Sequence, residues 1–457
     1  MSASPTRQRP SAELFRFLDA QFDPGTGQAQ LAYAFDDGPP LVEKLRFPVP
    51  ASWQDSARIA AFERALALLH LVAGVSYWKA TLAPRFEFSP GPLNAHGQDA
   101  LPEPLANFLE STWRLGLGEF AYVNDLDLRS RLHIPSRPGS AEGKAGELGL
   151  RSGALVAIGG GKDSLVSLEA LRHAQIPVRP TVVGASSLIA ETVAVSGLPL
   201  LRIERHLAPE LLALNEAGAW NGHVPVTAIN MAILACAAVL LDTRWVVFSN
   251  ERSAEEPTLH TPDGEPVNHQ YSKSLAFERA FQSVTRRYVA SDLRVFSLLR
   301  SLGEAAVTRQ FSRLRDYHPV FSSCNRNFHR DGARIDGRWC GDCPKCRFTT
   351  LALAPWLTPA EVTAIVGSNL LDDPAQETGF RELAALGHDK PFECVGTAEE
   401  SRALLARLSA DPAWCEFEVV KRLASEVQDQ ADRLEDLLSP AGPNDIPRSL
   451  DGMLPWS

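Results

Sequence analysis

The chain has 457 residues, 45% of them hydrophobic and 22% charged, which leaves room for about three domains with real cores. Its 45 basic and 55 acidic residues give a formal charge of -10. That balance argues against a sequence-independent grip on nucleic acid, which needs Lys and Arg against phosphates. Met1–Ser11 is polar, without an apolar run of signal-peptide type. The strongest membrane candidate, Val224–Leu241, contains Pro225, Thr227 and Asn230 and is followed by Asp242, so it reads as a buried helix. The expectation is a cytoplasmic protein with neither a nucleic-acid nor a membrane partner.

Apolar and polar residues alternate from 13 to 50 around Asp37-Gly38, which predicts short strands at Leu14–Phe17, Leu31–Phe35 and Leu45–Phe47. Helical spacing follows from Ser56 to Trp78. Residues 1–133 are therefore expected to form an N-terminal α+β region, whose position suggests substrate recognition. Residues 134–150, rich in Pro, Gly, Ser and charge, read as a linker. Apolar runs at Ala154–Ile158, Pro180–Gly184, Leu198–Ile203 and Trp245–Phe248 alternate with helical patterns through 151–320. That alternation predicts an α/β fold with a doubly wound parallel sheet. Residues 351–457 are expected to be helical, with capping boxes at Thr358/Glu361 and Thr397/Glu400. The Pro-, Gly- and Asp-rich tail from Ser439 is expected to be poorly ordered.

Between the first strand and the first helix of the α/β unit lies Gly159-Gly160-Gly161-Lys162-Asp163-Ser164. Glycines there let backbone N–H groups approach phosphate oxygens, and the helix N-terminus favours anions. Lys162 can neutralise phosphate, Ser164 can donate a hydrogen bond, and Asp163 can hold a metal-bound water or fix the loop. A Walker A loop is excluded by Val156 and Asp163, and a dinucleotide fingerprint by Ser164. The bland alternative is a glycine-rich turn with no ligand.

Three polar segments can complete a pocket: 221–225 with His223, 249–253 with Asn250 and Glu251, and 268–274 with His269 and Lys273. Taken singly, His223, His260 and His269 read as ordinary surface-loop residues. The seven cysteines include Cys340, Cys343 and Cys346 in a C-x2-C-x2-C pattern, with Cys324 upstream. Four thiolates suit a structural Zn2+, an iron–sulfur cluster uses the same ligands, and unliganded buried cysteines are the plain alternative. The clustering and odd count speak against a disulfide framework.

The loop resembles the S-G-G-x-D-S loop of PP-loop ATP pyrophosphatases, with Gly159 in place of the first serine. The cysteine motif is similar to that of 7-cyano-7-deazaguanine synthase, whose members are much shorter. More of the chain resembles the UDP-N-acetylmuramoyl-L-alanyl-L-glutamate epimerase family of bacterial peptidoglycan synthesis. The likeness rests on Gly74–Lys79, the loop at 160–164, the segments 249–254 and 268–274, and Lys390-Pro391-Phe392-Glu393-Cys394. It implies a PP-loop fold in which Gly159, Gly160, Gly161, Lys162 and Ser164 cradle the pyrophosphate of ATP and Asp163 assists Mg2+. It also implies a UDP-muramoyl dipeptide as substrate. His223, His269, Lys273 and Cys394 are the candidates for the general base. The alternatives are another PP-loop adenylating enzyme, such as a ligase or tRNA thiolase, and a non-catalytic nucleotide-sensing zinc protein.

Overall fold

The computed structural model describes residues 9–456 apart from 52, 96–99, 139–143, 258, 261–265, 328–334, 336, 389, 392 and 431. Its main sheet has nine strands: β1 (Leu14–Asp23), β2 (Gln28–Phe35), β3 (Leu41–Arg46), β4 (Arg85–Phe88), β5 (Arg151–Ala157), β6 (Val178–Val183), β7 (Leu201–His206), β8 (Thr243–Phe248) and β9 (Arg294–Ser297). They lie in the order β9-β8-β5-β6-β7-β3-β2-β1-β4. The five strands from β9 to β7 run parallel, as the alternation of apolar runs and helical patterns predicts. Ala154, Leu155 and Val156 of β5 are all buried, since helices cover both faces of such a strand.

The N-terminal strands extend this same sheet. β3 pairs antiparallel with β7, from Lys44 opposite His206 to Arg46 opposite Glu204. The β1–β3 meander continues beyond it, and β4 lies parallel to β1 at the edge. One hydrophobic core consequently runs from Phe15 to Val295. Its centre is the contact between α1 (Ser56–Ala73) and α5 (Val226–Leu240). The buried alanines of α5, at 228, 232, 235, 237 and 238, let the two helices approach closely. Ser56–Trp78, rather than Val224–Leu241, is the described stretch long and apolar enough to span a bilayer, and 72% of its apolar window is buried inside the protein. Segment 144–150 is laid along the core, with Leu148 and Leu150 N–H groups bonded to Asp292 at 3.0 and 2.8 Å.

The helices that build the site are α2 (Glu103–Gly116), α3 (Gly118–Val123), α4 (Lys162–His173), α6 (Leu275–Tyr288) and α7 (Glu304–Phe311). Beyond them a helical region comprises α8 (Pro344–Leu353), α9 (Pro359–Val366), α10 (Glu377–Leu383), α11 (Ala398–Ser409), α12 (Glu418–Val427) and α13 (Arg433–Leu438). Both expected capping boxes form, at Thr358/Glu361 and Thr397/Glu400. This region has its own core, to which Leu165 and Val166 of α4 also belong. Leu450 and Leu454 are buried against Leu168, Val182 and Leu298, and Asp445 pairs with Arg279 at 3.0 Å.

The N-terminal end of the core is aromatic. Trp113 is fully buried and meets Phe15, Phe17, Trp78 and Phe86, with ring centroids 5.5 to 6.5 Å apart. Its indole N–H has no hydrogen-bond partner among the described residues. Trp113→Ala should therefore lower stability by about 3–5 kcal/mol in urea denaturation, while Trp113→Phe, which leaves a smaller cavity and removes no hydrogen bond, should lose less.

Candidate active site

In an open α/β sheet the carboxyl ends of the parallel strands form the edge where ligands bind. Here Gly159–Gly161 follows β5, Ser249–Glu251 follows β8, and residues 298–303 follow β9 and lead into α7. Gly160 has a φ of +85°, a left-handed conformation that favours glycine. Gly161 is the N-cap of α4 and makes no side-chain cap, which leaves the first N–H groups of the helix directed into the loop. The Ser164 hydroxyl bonds back to the Gly161 carbonyl at 3.1 Å.

Lys162 is 4% exposed. Its Nζ sits 2.5 Å from the Asp163 carboxylate and also bonds Glu304 at the start of α7. Burial works against the ammonium, but Asp163 and Glu304 outweigh it and hold Lys162 above its ordinary value. Glu251 is buried within electrostatic reach of this group. Burial first, and Asp163 second, raise its carboxyl above the usual range. Asn250 donates to the Ser297 hydroxyl at 2.9 Å, tying the ends of β8 and β9 together. Ser249 bonds Ser167 of α4 at 2.7 Å.

Next to this cluster is a cavity of about 640 Å3, whose wall includes His223, His269, Ser272, Lys273 and Cys394. Two of the three polar segments, 221–225 and 268–274, therefore line one space together with Cys394, while 249–253 is not part of its wall. Lys273 Nζ is 3.0 Å from Cys394 Sγ and 3.1 Å from Gln270 Oε1. His269 Nε2 is 4.0 Å from the same sulfur. His223 Nδ1 is 3.2 Å from Glu119 of α3. Burial, reinforced by neighbouring His269 and Lys273, pushes His223 down to about 4. Burial, reinforced by Lys273, pushes His269 to about 4 as well. Lys273 is held above its ordinary value: burial opposes its charge, and Cys394, Glu251 and Asp163 prevail. Through these fields the cavity and the loop form one electrostatic unit. The side chain of His260 lies outside the described residues.

Glu304 and Glu119 are absent from the sequence-level candidates. Glu304 follows Gly303 at the opening of a helix after a parallel strand, the same strand–loop–helix position that marks the glycine loop. The short strand β9, only four residues, hides that position. Glu119 carries no local signal, since its pairing with His223 spans 104 positions.

Cys324, Cys340, Cys343 and Cys346 also come together, with all four sulfurs within 4.8 Å of one another. The contacts 343–346, 340–346 and 324–343 measure 3.5, 3.8 and 4.0 Å. Sulfurs of a tetrahedral zinc tetrathiolate, at about 2.3 Å from the metal, lie about 3.8 Å apart. The donor set and its spacing fit such an ion, and the cluster could hold a metal such as zinc. Just upstream, the Ser322 N–H bonds the Gly160 carbonyl at 3.2 Å. The Ser323 hydroxyl lies so close to Gly161 that a Cβ there would sit 2.9 Å from it. The cysteine segment thus roofs the glycine loop.

Comparison with known proteins matches residues 6–298 to the MurL N-terminal domain and residues 320–438 to the MurL C-terminal domain. A relative from Xanthomonas oryzae pv. oryzae is 48% identical over 95% of both chains. One from Salinispora tropica is 40% identical over 97% of this chain and 96% of its own. Both relatives are named UDP-N-acetyl-alpha-D-muramoyl-L-alanyl-L-glutamate epimerase. The chain belongs to the MurL epimerase family. The MurL N-terminal match takes in the β1–β3 meander and the glycine loop together, in keeping with the one sheet they share. The MurL C-terminal match takes in the four clustered cysteines and α8 to α13.

Lys162→Met should leave the buried Glu304, and the partly exposed Asp163 beside it, without their cation, costing about 3–5 kcal/mol. A Lys162→Met/Glu304→Leu double variant should recover part of that loss in the same urea titration, because it leaves one carboxylate fewer without a partner. Cys343→Ser should lower the metal content measured by elemental analysis and should lower the melting temperature of the chain. Equal metal content in the variant and the parent would show that the thiols hold no ion.

Proposed function

We propose that this chain inverts the terminal L-glutamate of UDP-N-acetylmuramoyl-L-alanyl-L-glutamate to D-glutamate in the supply of peptidoglycan precursors. ATP is the co-substrate, and AMP and pyrophosphate are released. The observation that carries the reading is the name shared by relatives 39 to 48% identical to this chain over 95 to 97% of its length. The arrangement of the site supports it, because a loop suited to phosphate adjoins a cavity rich in proton-transfer groups.

Inverting glutamate means removing its α-proton. That is unfavourable while the adjacent carboxylate is anionic, because the carbanion would add a second negative charge beside the first. Joining AMP to that carboxylate as an acyl adenylate removes the charge and makes the α-proton far more acidic. We read Gly159–Gly161 as a PP-type loop, with Gly159, Gly160, Gly161, Lys162 and Ser164 around the phosphates of ATP. Lys162, kept protonated by Asp163 and Glu304, supplies positive charge at the loop. Asp163 and Glu251 would hold Mg2+, which would offset phosphate charge when bound. Deprotonation, reprotonation on the other face and hydrolysis then complete the turnover.

Incubation with ATP, Mg2+ and the L-glutamyl substrate should give substrate-dependent AMP and pyrophosphate together with D-glutamate after hydrolysis of the product. AMP without inversion would point to a ligase or thiolase of the same fold. ATP binding with no turnover would point to a nucleotide-sensing protein. Lys162→Met should depress AMP formation and inversion together, because both depend on the activation step.

A further inference from the structure

Of the four groups in the cavity able to handle a proton, geometry separates one from the rest. Cys394 Sγ is approached by a cation at 3.0 Å and by an imidazole nitrogen at 4.0 Å, both from the 268–274 segment. It is carried there by the C-terminal region, in a stretch preceding α11. The thiol therefore meets the cavity only because two distant parts of the chain close upon each other. Lys273 in turn is fixed by Gln270 at its ammonium and by the buried Arg300, which holds the Lys273 carbonyl at 2.6 Å. A thiol with a positioned lysine at its sulfur is built to be a thiolate.

We propose that Cys394 is the catalytic base that takes the α-proton of the activated glutamate, and that Lys273 is its positioning residue. The inference rests on the epimerase reading above. The Sγ lone pair forms an S–H bond as the Cα–H bond breaks, and the C–H electron pair passes into the enolate of the adenylated carbonyl. Water then protonates Cα on the opposite face, leaving hydroxide. Hydroxide takes the proton from the thiol, restoring thiolate and water.

The other candidates fit less well. Lys273 carries its proton already and has no lone pair to offer. His223 and His269, both pushed down to about 4, are neutral but weak bases. At Cys394, burial alone would raise the thiol, but Lys273 and Lys345 outweigh it and keep the thiol below its ordinary value against the opposing charge of Glu393. Glu119, on α3, also faces the thiol electrostatically, and its carboxyl is itself raised by burial.

The test uses the full chain in D2O with ATP, Mg2+ and substrate. The parent protein should make AMP and place one deuterium at the inverted α-carbon. Cys394→Ala and Cys394→Ser should keep substrate-dependent AMP formation. Each should lose inversion and deuterium incorporation by about 100-fold or more. Retained AMP formation shows that the variants are folded. Lys273→Gln should raise the pH at which iodoacetamide alkylates Cys394, followed by peptide mass, and should shift the inversion rate to higher pH in step. A merely structural lysine would shift neither. Inversion at the parental rate in both Cys394 variants would overturn the proposal. So would a substrate-sized acyl adduct on Cys394 in the quenched parent, which would make the thiol a nucleophile. Absence of AMP and D-glutamate from the parent would instead overturn the epimerase reading on which the proposal stands.

Discussion

The buried ammonium of Lys162 is the constraint around which the site is arranged. An isolated charge at 4% exposure would be untenable, so two carboxylates must be delivered to it from different elements. Asp163 comes from the next position of α4 and Glu304 from the first turn of α7. Placing Glu304 there requires the start of α7 to be held, and Glu400 does this from the C-terminal region. One Glu400 oxygen accepts the Ala305 N–H at 3.0 Å, and the other accepts the Ser253 hydroxyl at 2.8 Å. The same carboxylate closes the capping box of α11. Gly303 lets it come this close, since a Cβ there would lie 2.4 Å from a Glu400 oxygen. A helix cap and an active-site support are one side chain.

The C-terminal region is accordingly more than an appendage to the sheet. It delivers Glu400 beneath α7 and Cys394 to the cavity, and it contributes the cysteine cluster whose leading residues, Ser322 and Ser323, cover the glycine loop. Each of these contacts joins residues 95 or more positions apart. A metal on the four thiols would stiffen the turn that follows Ser323, and so the roof of the loop. If the glycine loop binds nucleotide as proposed, such an ion would act on that binding without touching the nucleotide.

Local patterns made some of this legible in advance. β5, the glycine loop and α4 follow one another as a strand–loop–helix whose every residue type is informative, and the C-x2-C-x2-C spacing converges on one point as tight turns allow. The capping boxes at Thr358 and Thr397 likewise need only four residues to be recognised. The pairing of β3 with β7 spans about 160 positions, and nothing in the alternation of β3 names its neighbour. Glu304, Glu119 and the Cys394–Lys273 contact belong to the same class, in which the meaning of a residue is set by what the fold brings to it. In the tail, whose Pro, Gly and Asp content reads as disorder, Leu450 and Leu454 are buried, and no local pattern names the residues they meet.

The division between loop and cavity also bears on why an epimerase would use so much apparatus for one proton. Activation needs positive charge at the phosphates, and inversion needs a lone pair at the α-carbon, so a single group cannot serve both. In this chain the two lysines are kept as cations by carboxylates and by a thiol, and the histidines are kept neutral by burial. Asp163 and Glu251 face both lysines, so the charge state of the loop is felt in the cavity. Phosphate arriving beside Lys162 would add negative charge within reach of Lys273 and hold its proton more firmly. Under the proposed mechanism the cation beside Cys394 would then be most secure with nucleotide present, which would order activation before inversion without any moving part.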